Sequence, residues 1–287
     1  MRRWAAALAG ALLLALAGCA ELPQGVDGDL TDGWHTPPAA LQYRPIGGGC
    51  HADLAETATI DDDSRVSCDE PHLAETFAVA DLGEVSTATR AARAFQECSS
   101  RAAIFVGGDW RTGWLLLQPV LPSDKAWSGG ARWVRCDLAE TAPADGTLVR
   151  RSSSVRDGLK GAGKLRMTCA DAAVEGDQVT GLRTLSCASK HTTEFAGLFV
   201  SKRPTAAAVT AAEMEKGCNA AIAKFTGIPN DNTIKNRVGW LGFPPDKESW
   251  SQGDRAIRCF LWLNGEKMTG SYRNAGVAKL KIHYVYR

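Results

Sequence analysis

Residues 68–75 read CDEPHLAE and residues 187–194 read CASKHTTE, each with a cysteine, a histidine four positions on and a glutamate seven positions on. Thiol, imidazole and carboxylate are the groups that ligate zinc, and a histidine beside a glutamate is also an acid/base pair. Zinc needs three or four ligands around one point, whereas each segment offers one histidine, one glutamate and cysteines better spent on bridges. In an extended strand His72 and Glu75 point to opposite faces, because their spacing is odd. A composite site joining His72 to His191 is the remaining route to a metal. The chain has five histidines, at 35, 51, 72, 191 and 283, and contains no HExxH, CxxC, Gly-x-Ser-x-Gly or phosphate-cradling glycine loop. No metal, no cofactor and no catalytic residue is therefore expected.

A structural role uses the same residues more fully. Glu75 shares strand parity with Phe77 and Val79, and Glu194 with Ala196 and Leu198, so both carboxylates lean toward the apolar side. Arg132 and Arg255 lean the same way from their own strands. Two partly buried opposite charges are expected to pair, since either alone carries a large desolvation penalty. The expectation is Glu75 with Arg132 and Glu194 with Arg255, with His72 and His191 bonding backbone near disulfides.

The elements that must position these groups are written in the cysteines. Apart from Cys19 there are eight, at 50, 68, 98 and 136 and then at 169, 187, 218 and 259, with gaps of 18, 30 and 38 followed by 18, 31 and 41. Other residues keep step: WSGGARWVRC ends at Cys136 and WSQGDRAIRC at Cys259, while SSVRDG (153–158) corresponds to GSYRNAG (270–276). One module is thus expected twice, over 47–158 and 165–287. Four cysteines allow three pairings per module. Ala91, Phe95, Cys98, Ala102 and Phe105 share one face at helical spacing, as do Ala211, Met214, Cys218, Ala221 and Phe225. Gly107 and Gly227 are placed to end those helices in the left-handed conformation. Arg132, Val134 and Cys136, like Arg255, Ile257 and Cys259, alternate along a strand that the cysteine is expected to end. Helix and strand cysteines both face inward, which favours Cys98–Cys136 and Cys218–Cys259 and leaves Cys50–Cys68 and Cys169–Cys187. The remaining apolar runs alternate as strands, including a terminal VAKLKIHYVYR. The fold class is α+β: two tandem modules, each a mostly antiparallel sheet with one covering helix and two disulfides.

Ahead of the modules, two arginines and an apolar run of 14 residues from Trp4 to Ala17 form a secretion signal (1–18), too short to span a bilayer. It ends in Leu16-Ala17-Gly18-Cys19, similar to a lipobox, so Cys19 is the expected site of lipidation. Residues 19–46, rich in proline and glycine, read as a tether. Removing Arg2 and Arg3 from 33 basic residues leaves 31 against 32 acidic ones, which argues against nucleic acid as a partner. The expected location is the outer face of the cytoplasmic membrane, held there by the lipid.

Cys-x-x-x-His-x-x-Glu leading into a strand, a helix cysteine, Trp-x-x-Gly-x-Arg-x-x-x-Cys and a closing Ser-x-Arg resemble the septum formation family. CDEPH matches that pattern closely; CASKH has Lys190 in place of its proline. The resemblance implies an attached or secreted envelope protein and brings no agreed reaction with it. Two functional classes follow. One is an extracytoplasmic binding or scaffold lipoprotein whose partner is an envelope protein or wall component. The other is an extracellular hydrolytic or metal-assisted enzyme using the His72/Glu75 and His191/Glu194 pairs. The first predicts exposed apolar or aromatic surface, with Trp110 and Trp114 as candidates and Trp127 and Trp250 packed. The second predicts a polar cleft holding His72 or His191.

Overall fold

The computed structural model describes residues 43–54, 65–176 and 178–283. The signal segment, Cys19 and the tether as far as residue 42 lie outside them. The first sheet contains β1 (Cys50–His51), β2 (Arg65–Val66), β3 (Ala74–Asp81), β4 (Leu115–Val120) and β5 (Trp133–Thr141), in the order β2-β1-β3-β5-β4, with β6 (Leu148–Val149) paired to the end of β5. The second contains β7 (Cys169–Glu175), β8 (Gln178–Leu185), β9 (Thr193–Val200), β10 (Gly239–Phe243) and β11 (Ala256–Trp262), in the order β8-β7-β9-β11-β10. Matching strands in chain order therefore occupy matching places, and every pairing in both sheets is antiparallel.

One long helix covers a face of each sheet: α1 (Arg90–Val106) lies on β3, β4 and β5, and α3 (Ala211–Thr226) on β9, β10 and β11. Their apolar faces bury Phe95, Cys98, Ala102 and Phe105 in one case and Cys218, Ile222 and Phe225 in the other. The Thr210 hydroxyl caps α3 by accepting from the Glu213 amide. Gly107 and Gly227 end the helices with φ of 78° and 75°, each sending its N–H back to a helix carbonyl. Short helices α2 (Asp124–Ser128) and α4 (Lys247–Gln252) precede β5 and β11, capped by Ser123 and Asp246, and bury Trp127 and Trp250. Four disulfides close the structure, Cys50–Cys68, Cys98–Cys136, Cys169–Cys187 and Cys218–Cys259, two for each sheet and none between them.

Two element expectations are corrected. Cys136 and Cys259 do not end their strands: β3 and β4 keep pairing past Cys136, to Ala74↔Ala139 and Leu115↔Glu140, so the ladder carries β5 on to Thr141. β11 likewise runs on to Trp262. Of the alternating terminal segment, residues 277–283 are not a strand either, and residues 284–287 lie outside the described residues. Asn274 and Gly276 adopt φ of 55° and 66°, and the chain turns into α5 (Gly276–Lys279). Leu280 is then buried beside Ile234 and Val238, with its carbonyl accepting from Arg237, and the His283 amide donates to the Asn236 carbonyl.

The connection between the sheets is fastened to the first one. Trp114 N–H donates to the Leu165 carbonyl at 2.8 Å and Met167 N–H to the Thr112 carbonyl at 2.9 Å. The 3-10 turn Trp110–Thr112 then reaches the second region. Arg111 Nε donates to Asp254 Oδ1 at 3.0 Å, and Arg258 donates to the carbonyls of Arg111 and Leu115, both at 3.2 Å. Burial pulls the Arg258 guanidinium below its ordinary range, against the opposing pull of the Asp254 carboxylate.

Candidate functional site

The register Cys50↔Glu75 and Cys169↔Glu194 sets each glutamate beside the first disulfide of its region. In each case the two sulfurs and a carboxylate oxygen lie within 4.8 Å of one another. That is a ligand-like grouping, yet sulfurs bonded to each other carry no thiolate to offer a metal. The histidines are enclosed completely, at 0 % exposure. His72 Nδ1 lies 2.8 Å from the Glu70 carbonyl and His191 Nδ1 2.8 Å from the Ser189 carbonyl, so in both rings Nδ1 carries the hydrogen and donates it. Their backbones exchange paired hydrogen bonds with Arg151 and Met268. Each histidine thus closes the turn after its cysteine and tethers the closing segment of its region.

The expected ion pairs do not form. Glu75 accepts from Ser154 Oγ at 2.7 Å and from the Val155 amide at 2.8 Å; Glu194 accepts from Ser271 Oγ at 2.5 Å and from the Tyr272 amide at 2.7 Å. The same serine hydroxyls accept from the Arg156 and Arg273 amides, and those guanidiniums lie over Phe105 and Phe225 at 4.4 and 4.6 Å. The glutamates hold the Ser-x-Arg turns. Arg132 instead donates to the carbonyls of Trp127 and Ala131 and lies over the Trp127 ring, while Arg255 donates to the Arg203 carbonyl. Position along the strand is the reason. Glu75 pairs with Leu138 and Glu194 with Leu261, each six residues beyond the arginine, about 20 Å at ~3.3 Å per residue.

A further constellation was not anticipated. In the first region alone, His51 Nε2 lies 2.8 Å from Thr76 Oγ1, the Thr76 hydroxyl donates to Asp137 Oδ1 at 2.6 Å, and Asp137 Oδ2 accepts from Arg135 Nε and Nη2 at 2.9 and 2.6 Å. All four side chains are buried. Because the hydroxyl gives its proton to the carboxylate, it must accept from Nε2–H of His51. The order His–Thr–Asp differs from a nucleophilic triad, in which the histidine takes the hydroxyl proton. Ala170, Phe195 and Phe260 occupy the corresponding register positions of the second region, where Phe260 packs against Phe195 and Phe243 with ring centroids 5.3 and 5.4 Å apart. A comparison of RCD (135–137) with RCF (258–260) carries the signal for this difference.

The tryptophans divide otherwise than expected. Trp127 and Trp250 are packed, as their place in a shared turn suggests. Trp110 is packed as well, at 3 % exposure, with Nε1 donating to Ser99 Oγ and Arg111 stacked over its ring. Trp114 packs into the Phe195–Phe243–Phe260 cluster of the second region. Trp110 thus belongs to the core of the first region, while Trp114, half-buried, joins the two regions.

No curated protein and no solved structure matches the chain. The septum formation family model matches residues 47–259, a span from just before the first disulfide to the last cysteine. With that match over most of its length, the chain belongs to the septum formation family.

Proposed function

We propose that the protein is a lipid-anchored extracytoplasmic binding or scaffold module of the cell envelope. Four disulfides suggest an extracytoplasmic protein, and among the described residues no helix is long and apolar enough to cross a membrane. The lipobox-like Leu16-Ala17-Gly18-Cys19 supports attachment through Cys19. The observation that carries the binding reading is the use made of the Cys/His/Glu motif. Both glutamates are committed to turns and both histidines to carbonyls inside the fold, so the residues with catalytic chemistry act as fasteners. Crosslinking in intact cells, followed by identification of the partners, tests the reading; it expects an envelope protein or wall component. A Cys19→Ser chain should leave the membrane fraction or keep its signal segment. Unchanged processing and membrane retention would overturn the anchor.

A further inference from the structure

The chain as a whole is nearly balanced, with 33 basic and 32 acidic residues, yet one cleft is not. Between the 3-10 turn Ile234–Asn236, the loop after β11 and the segment following α5 lies a cavity of about 470 Å³. Lys235, Arg237, Lys267, Lys279 and Lys281 line it, against Glu266 as the one carboxylate in its wall. Three of the cations are held in place: Lys267 by Asp171 at 3.1 Å, Arg237 by the Leu280 carbonyl at 2.9 Å, and Lys279 over the Tyr272 ring at 3.8 Å. Lys235 and Lys281 are exposed and have no ion-pair partner among the described residues. Like charges gathered in a concave wall repel one another and focus a positive potential, and a bound anion relieves both effects.

A second hollow of about 460 Å³ adjoins the cleft and shares Lys235 with it. Its lining includes the amides of Asn219, Asn230 and Asn232, with Lys216 and the carboxylates of Glu215 and Asp231, so a phosphate is placed in the first cleft and the hydroxyls in this one. Asn219 is 7 % exposed, and its Oδ1 has no hydrogen-bond partner in the protein. A buried acceptor without a donor is costly, and a hydroxyl entering the hollow would supply one. Each cavity is within the ~300–1,000 Å³ range of small-ligand sites.

We propose that this double cavity binds a phosphorylated polyol, with phosphate at Lys235, Arg237 and Lys281 and hydroxyls directed to Asn219. The proposal rests on the reading of the protein as an extracytoplasmic binding module and names the ligand class of that module. The test uses the full chain carrying Cys19→Ser, so that no acyl group contributes. Inorganic phosphate, glycerol 3-phosphate, poly(glycerol phosphate) and anionic phospholipid vesicles are titrated separately. Glycerol 3-phosphate and its polymer should bind with an affinity that falls as salt rises. Lys235→Ala combined with Lys281→Ala should weaken both by about tenfold or more without altering the melting temperature. Asn219→Ala should weaken glycerol 3-phosphate while leaving inorganic phosphate unchanged. Equal binding by the double variant, no binding of glycerol 3-phosphate, or binding to vesicles alone would overturn the proposal. Crosslinked partners that persist with the double variant would reject this site and leave the binding reading standing. An absence of any partner in cells would reject that reading instead.

Discussion

Glu75 and Glu194 are buried carboxylates satisfied by a hydroxyl and an amide, and that arrangement gives unequal mutational costs. A glutamine keeps one acceptor oxygen and turns an NH2 toward a donor. Glu75→Gln and Glu194→Gln should each cost about 1.5–3 kcal/mol, the range for hydrogen bonds to a charged group, read by denaturant or thermal unfolding. Arg132 is not the partner of Glu75, so a double-mutant cycle between the two should show a coupling below ~0.5 kcal/mol. A larger coupling would restore the ion pair. The His51–Thr76–Asp137–Arg135 chain separates two further effects. Thr76→Val leaves Asp137 with its arginine and should cost about 1–3 kcal/mol, whereas Arg135→Ala strands a wholly buried carboxylate and should cost about 3–5 kcal/mol. At this scale the sequence revealed faces and not distances. Parity placed Glu75 and the cysteines inward, but no pattern in the chain states how far along its neighbour a residue pairs. The register shifts between Thr76 and Ala78, and between Cys259 and Phe260, are likewise silent in the apolar alternation.

Gly217 shows how an element answers to its surroundings more than to its own propensity. It sits within α3, where alanine would ordinarily gain about 1 kcal/mol. A Cβ there would lie 2.2–2.5 Å from the Phe199 ring, at atoms close to the side chain's root. Gly217→Ala should therefore be net destabilising, with an overpacking cost of about 1–3 kcal/mol outweighing the helix gain. A raised melting temperature would show that Phe199 moves freely. The strand pair β7–β8 carries a pH-dependent contact. Partial burial pushes the Asp171 carboxyl up, but Lys267 and Arg183 outweigh it and hold the group below its ordinary range. A depressed folded value adds stability above the unfolded value of about 3.9, and that stability is lost as pH falls through the folded one. Asp171→Asn should lower stability at pH 7 by no more than about 1 kcal/mol, since its partners are largely exposed, and the difference should vanish in acid. Helices and their glycine stops were legible because spacing and caps are local. The terminal segment as far as residue 283 was misread because alternation alone cannot tell a strand from a chain turned at Asn274 and packed by Leu280.

The two sheets share a strand order, and what joins them lies in the residues that break their likeness. Asp254 stands where the first copy has Ala131, and it receives Arg111 across the join. Arg111→Ala would leave a carboxylate of 7 % exposure without its cation, at a cost of about 2–5 kcal/mol. Urea unfolding followed by tryptophan fluorescence should then change from one transition to two as the regions uncouple. The doubled cysteine spacing made the plan of the whole legible, but a repeat describes what its copies have in common and is silent about the surface on which they differ. The disulfides carry a consequence of another kind. They enclose residues 50–68, 98–136, 169–187 and 218–259 in covalent rings. A protease that cuts one peptide bond inside any ring severs the chain but not the molecule. Protein nicked once by trypsin inside a ring should run as a single band on a non-reducing gel and fall into fragments only after reduction. A cut between rings, as at Lys160 or Lys164, should instead separate the two halves without reduction, so the rings protect the assembled surface and the connection between the sheets is its weak point.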